Sequence, residues 1–318
     1  MVGRAGGAST YPVTLPTDPY LTLKEPVADF VIDVIDSGIL AFGGKPHPYL
    51  DGHLTEDWRK NVDEFTGSPD SLTINGHGTF VAGVILRQAP TARIRMRNTL
   101  DGEHGGSDPD VAAEIRYLSR NVDDLKLLNL SFFGNDEVTE PKQIGYALKE
   151  LFDIWPDLVV VTAAGNSGMA DPAWPSAFGF PRLISIGAVD ETVIVPSVPE
   201  SSGKRVPPIA SFSNYGPTVD GYAGGVSVLG PRFAIDESQP GWCSWGGTSF
   251  AAAAVTGRIA QVMLKEDIDA RQALERVLTR RDPFSSSVPT SLVPVPGVPH
   301  ELWRPYIHTG DLNWDAPE

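Results

Sequence analysis

The 318-residue chain holds a single cysteine, Cys243, so no disulfide can form within it. No stretch approaches the roughly 18 apolar residues that a bilayer-crossing helix needs, so a membrane is not an expected partner. Positive charge is scarce: 25 Lys and Arg stand against 40 Asp and Glu, a net charge of −15. No basic block interrupts that balance, so nucleic acid is not expected either. Residues 1–10 are Gly-rich and carry no apolar run, so no export signal is read there. The expected location is the cytoplasm, or the exterior had a signal and pro-segment been removed. Internal repeats are lacking, and nothing fixes an oligomeric state.

What the chain has in quantity is glycine, 32 residues, and proline, 28, which implies many turns and loops. Between them lie short apolar runs. Phe30–Ile35, Ile94–Leu100, Leu125–Leu130, Leu158–Thr162 and Leu183–Val189 read as strands, several apolar throughout. His77–Leu86, Val111–Leu118, Ile144–Trp155 and Asp269–Thr279 carry helical spacing. Strands alternating with helices imply an α/β fold, a mostly parallel central sheet with helices on both faces. Residues 1–27 read as an arm or loop, and residues 283–318 as an extension packed on the main domain. Asp33 interrupts an apolar strand, while Arg93, Arg95 and Arg97 alternate along the next. A buried carboxylate needs a partner, so Asp33 is expected to pair with one of them, or else to face a polar patch under the arm.

Chemistry concentrates at strand ends and helix starts, where α/β sheets carry their sites. Asp36 ends the first strand and precedes Ser37-Gly38. His77 opens a helix inside Gly76-His77-Gly78-Thr79-Phe80-Val81-Ala82-Gly83. Asn166 lies in Ala163-Ala164-Gly165-Asn166-Ser167-Gly168. Ser249 follows Gly246-Gly247-Thr248 and leads a small-residue helix, Phe250–Gly257. Each has an ordinary reading alone: a turn former, a surface imidazole, a left-handed Asn, a helix cap. Together they supply an orienting carboxylate, a general base, an amide donor and a hydroxyl, the set that acyl transfer requires.

These four motifs, in the order Asp, His, Asn, Ser, resemble those of the subtilisin-like serine proteases, the subtilases, over residues 28–282. Asn129-Leu130-Ser131 and Ala210-Ser211-Phe212-Ser213-Asn214-Tyr215-Gly216-Pro217 resemble further family stretches. The resemblance implies a three-layer subtilisin-like fold and a serine endopeptidase. Ser249 would attack the scissile carbonyl, His77 would act as base and acid, and Asp36 would orient His77. Asn166 would bind the oxyanion. An extended peptide or protein substrate would lie between Glu103, His104, Gly105 and Gly106 on one side and Ser131, Phe132, Phe133 and Gly134 on the other. Ala164, Gly165 and Trp245 would line the cleft beside it.

The chain departs from the pattern in three places. Phe132-Phe133 stands where relatives commonly have Leu-Gly, which would narrow or re-aim the cleft. Ala253 replaces a family Pro after the nucleophile, so an ordinary helical backbone is expected there. Val84–Gln88 is too short, and lacks the carboxylates, for the calcium loop of many secreted relatives. No metal ligands or cofactor are therefore assigned, although the acidic 51–70 stretch leaves another calcium site open. Two other readings stand beside the protease: a catalytically idle subtilase fold that binds a peptide or partner, and an acid-active Ser-Glu-Asp relative, which would not be expected to keep His77 or Asn166.

Overall fold

The computed structural model describes residues 11–13, 25–27, 29–63, 76–100, 106–134, 142–171, 173–193, 195–196, 205–233, 240–278, 292–293, 304–307 and 309. Six strands form its centre: β1 (Val31–Asp36), β2 (Arg93–Asn98), β3 (Leu127–Leu130), β4 (Val159–Ala163), β5 (Leu183–Val189) and β6 (Gly221–Gly224). They lie in the order β6-β5-β4-β3-β1-β2, and every neighbouring pair is parallel. A sheet covered on both faces asks for apolar residues at every position, and β3, β4 and β5 are buried along their whole length. The chain leaves β1 for β2 on one side and returns as β3 on the other. That reversal opens a crevice at the carboxyl ends of β1 and β3.

Among the described residues five helices cover the sheet: α1 (His77–Gln88), α2 (Asp108–Asn121), α3 (Lys142–Ile154), α4 (Thr248–Glu266) and α5 (Ala270–Leu278). α1, α4 and α5 share one core with Ile32, Val34, Met96 and Val161. α2 and α3 close the other face over Ile35, Leu128, Leu130 and Val160. The alternation along β1 and β4 follows from the strand period of two. α3 buries Ile144, Ala147, Leu148, Leu151 and Phe152, a stripe at helical spacing. α2 starts where the Ser107 hydroxyl oxygen accepts from the Asp110 amide. α4 runs unbroken through the buried Ala253, as an ordinary helical backbone there requires.

Asp33 and Arg95 are direct neighbours in the parallel register of β1 and β2. The guanidinium donates to both carboxylate oxygens, at 2.6 and 3.1 Å. Asp33 is wholly buried, and burial pushes its carboxyl up to about 6 against the pull of Arg95.

A hairpin of β7 (Val228–Phe233) and β8 (Pro240–Trp245) leads into α4. Residues 11–13, expected to be loop, instead form a strand, Tyr11–Val13, antiparallel to the free edge of β8. In the C-terminal stretch, Leu292–Val293 pairs with Arg304–Pro305. The Ile307 amide donates to the Tyr222 carbonyl of β6 at 2.7 Å, so this segment lies against the sheet edge.

Candidate active site

The site assembles where α1 and α4 start. Near those starts the Phe250 ring lies 5.4 Å from the His77 ring and 4.5 Å from the Phe80 ring. Farther along, a Cβ on Gly257 would strike the Ile85 carbonyl oxygen. The two helices therefore run the same way in close contact, and their positive ends meet at one point. The Asp36 turn is pressed against α1 in the same manner: a Cβ on Gly78 would strike the Gly38 carbonyl. Glycine at 78 is what lets strand end and helix start approach.

His77 Nδ1 donates to Asp36 Oδ1 at 2.8 Å, and the same oxygen accepts from the Ser37 amide at 2.7 Å. That bond fixes the tautomer and leaves Nε2, which is buried without a hydrogen-bond partner, as the basic nitrogen. Two rings pack against the imidazole, and a third backs them. Trp245 meets it edge-on at 5.7 Å, Phe250 lies tilted over it, and Phe80 packs behind against both. Trp245, expected beside the cleft, is buried and packs edge-on against His77. Trp242 packs away from the site on Tyr49 and His47. Cys243 is buried, which pushes its thiol up to about 11 and leaves it unreactive.

A second carboxylate supports the pair. Asp63 accepts from the Ser37 hydroxyl at 2.9 Å and from the Gly76 amide at 2.6 Å, while Ser37 Oγ accepts from the Gly78 amide at 3.1 Å. It therefore ties the Asp36 turn to the start of α1. Burial pushes its carboxyl up to about 7, against these hydrogen bonds. No motif marks Asp63; it sits in a polar excursion.

Asn166 follows β4 directly. Its Oδ1 accepts from the Thr248 amide and the Thr248 hydroxyl, each at 2.9 Å. A backbone N–H can only donate, so the carboxamide orientation is settled, and Nδ2 is left as a buried donor without a partner. Asn214 holds the loop: its Oδ1 accepts from Ser167 and its amide donates to the Gly165 carbonyl, both at 2.9 Å. Sequence reading gave no role to Thr248, Asn214 or Phe250. Their signal was position: Thr248 and Phe250 flank Ser249, and Asn214 lies inside the 210–217 stretch.

Ser249 is the second residue of α4 and is buried. The Ser131 hydroxyl donates to the Ser249 carbonyl at 2.8 Å, tying the end of β3 to the start of α4.

The expected peptide-binding wall is largely engaged inside the fold. Phe132 joins the core under α2 and α3. Phe133 packs on Ala163 and Ala173. Gly134 exchanges backbone hydrogen bonds of 2.9 and 3.1 Å with Trp174, so its main chain is not open to a substrate strand as expected. Ala164 faces a core of Val189, Val219 and Tyr222, and both backbone polar groups of Gly165 are bonded, to Thr248 and Asn214. Both residues, expected beside the cleft, are engaged in holding the loop. Gly106 is buried against Leu100 at the approach to α2, and Glu103, His104 and Gly105 lie outside the described residues.

Val84–Gln88, where a calcium loop was looked for, is continuous buried helix with no carboxylate, which does not fit calcium. Among the described residues no group of three or more His, Cys, Asp or Glu is placed to hold a metal ion.

The peptidase S8 model, described as the subtilase family, matches residues 28–287. The chain belongs to the subtilase family. A "Thermophilic serine proteinase" of Bacillus sp. (strain AK1) is 31% identical over 263 residues, covering 77% of this chain and 55% of the relative. "Subtilisin-like protease 2" of Pseudogymnoascus destructans (strain ATCC MYA-4855 / 20631-21) is 32% identical, covering 72% and 50%. The chain thus spans about half the length of these two curated relatives. "Subtilisin Savinase" of Lederbergia lenta is 28% identical, covering 74% and 76%. Among solved structures, a cold adapted subtilisin-like serine proteinase superposes with a TM-score of 0.62 at 21% identity, over 93% of this chain and 94% of that one. That likeness shows the three-layer subtilase fold.

Proposed function

We propose that this chain is a serine endopeptidase that cleaves peptide bonds through an acyl-enzyme on Ser249. The observation that carries this reading is the state of His77. Its Nδ1 is held by Asp36, while its Nε2 is unpartnered at the start of the helix that bears Ser249. Nε2 takes the Ser249 proton as Oγ bonds to the scissile carbonyl carbon. The carbonyl oxygen, now negative, is met by Asn166 Nδ2 and the Ser249 amide, with the positive end of α4 behind them. The imidazolium, steadied by Asp36, gives its proton to the leaving amine as the C–N bond breaks. Water repeats the sequence to release the acid. The substrate is an extended peptide or protein segment, read by main chain at residues 131–133. Processing of one dedicated substrate inside the cell is the narrower form of the reading. Its support is the closed recognition side.

Binding without turnover is the second reading, favoured by one observation: Gly134 spends its main-chain groups on Trp174. A fluorophosphonate separates the two. The folded protein should gain one adduct, mapped to Ser249 and absent from Ser249→Ala, and a peptide library should be cut only by the unsubstituted chain. Folded protein that takes no label would leave the binding module. Calcium is not required in this reading, because the α1 segment offers it no ligands. EGTA should leave the melting temperature and the turnover where they were, and a drop in either would contradict this.

A further inference from the structure

This inference rests on the acyl-enzyme reading and names the substrate it takes. The carbonyl under attack has three substituents to place. Its oxygen goes to Asn166 Nδ2 and the Ser249 amide. Its leaving nitrogen must lie toward His77, which protonates it. The Cα of the acyl residue therefore points away from His77, toward the ends of β3 and β4. The fold holds those ends directly beneath the nucleophile. Ser131, just past β3, donates to the Ser249 carbonyl, and Thr162 of β4 donates to the Phe132 carbonyl at 3.4 Å. The acyl side chain would need a recess among the residues that follow those strand ends.

That recess is full. The Phe133 ring lies against Ala163 at the end of β4 and Ala173 beyond it, and the residue is 3% exposed. Paired backbone hydrogen bonds between Gly134 and Trp174 close the rim. Ala163 and Ala173 have no side chain beyond Cβ, so the Phe133 ring is the bulk of this cluster.

We propose that Phe133 occupies the position of the acyl-side substrate side chain, so that this enzyme selects glycine, alanine or serine on the acyl side of the scissile bond. A larger side chain would have to displace a packed ring, which interiors resist. The closed rim shapes selectivity in the same direction.

The test uses three probes on the whole protein: a simple fluorophosphonate, and two peptidyl diphenyl phosphonates that differ only in an Ala-like methyl or a Phe-like benzyl group at the acyl position. The rate of Ser249 modification is followed by intact mass. The methyl probe should react about 100-fold faster than the benzyl probe, a discrimination within reach of pocket shape. In Phe133→Ala that ratio should collapse to within about tenfold or reverse, because a small residue reopens the recess. If Phe133→Ala does not fold, Phe133→Leu should move the ratio in the same direction by a smaller step. Equal rates for the two probes in the unsubstituted protein would overturn the proposal, as would an unchanged ratio in the folded variants. Reaction with neither peptidyl probe, while the fluorophosphonate still labels Ser249, would overturn it too. Failure of the fluorophosphonate itself would bring down the acyl-enzyme reading and this inference with it.

Discussion

The two flanks of Ser249 are built from different physics. On the base side, around β1 and the start of α1, buried charges and short polar groups do the positioning. Asp33 is clamped by Arg95, Asp36 holds His77, and Asp63 ties Ser37 to Gly76. On the acyl side, at the ends of β3 and β4, apolar shape does it. Phe132 and Phe133 are packed into the cores, and backbone pairs close the rim. The first arrangement suits proton transfer, which needs defined tautomers. The second suits selection by size. pH should therefore act on the base side of this molecule and not on the acyl side.

Removing charge from the base side gives the largest expected effect. Arg95→Ala leaves Asp33 buried and alone, which should cost about 3–5 kcal/mol at pH 8. The cost should shrink as pH falls towards 6, because the buried carboxyl, no longer held charged by Arg95, takes up a proton more readily. Urea unfolding at pH 8 and pH 5 measures both, and a small or pH-independent loss would refute the electrostatic account of this flank.

Asn166→Asp joins the two flanks. It keeps the acceptor for Thr248 and deletes the oxyanion donor. Turnover should fall by about 10²–10³, or ~3 kcal/mol, the size of the effect in a subtilisin and carried over from it. KM should move little. A change confined to KM would mean that Nδ2 holds substrate and not the transition state.

Asp63→Asn tests the second carboxylate through linkage. The folded chain protonates Asp63 at about 7, above the ordinary 3.8. Between those values the folded state binds the extra proton. The contribution of Asp63 to stability is therefore full below the lower value and is lost as pH rises through the upper one. The unsubstituted protein should lose stability relative to Asp63→Asn between pH 5 and pH 8, at no more than about 1.4 kcal/mol per pH unit. Parallel pH profiles from urea melts would remove Asp63 from the account.

The smallest effect belongs to the acyl side. Phe133→Leu should cost about 1 kcal/mol by loss of fit, the same at pH 5 and pH 8. A pH-dependent cost there would erase the contrast between the flanks.

Asp36, His77, Asn166 and Ser249 stand out in the sequence because each lies in a local motif, and the structure joins His77 to Asp36 and Asn166 to the start of α4. The Asp33–Arg95 pair was legible for a similar reason: an acid inside one apolar strand and alternating arginines in the next leave few ways to satisfy the charge. Asp63 was not, because its partners Ser37 and Gly76 come from two other segments, and only the folded turn brings them to it. Gly134 was misread because Trp174, forty residues on, claims its backbone. The packing of Trp245 on His77 was not legible, because closeness in sequence to Ser249 says nothing about which way an indole turns. The strand Tyr11–Val13 has an ordinary loop composition, and becomes a strand only because β8 offers an open edge.

Gly257 lies eight residues past Ser249, about 12 Å along the helix axis. There a bare Cα lets α4 rest on the Ile85 carbonyl of α1. A stiff helix seated at that point acts as a lever with its fulcrum far from the working end. A small rise at the seat would swing the nucleophile through an arc relative to its base. The aim of the hydroxyl is thus set in part by a residue that never meets the substrate.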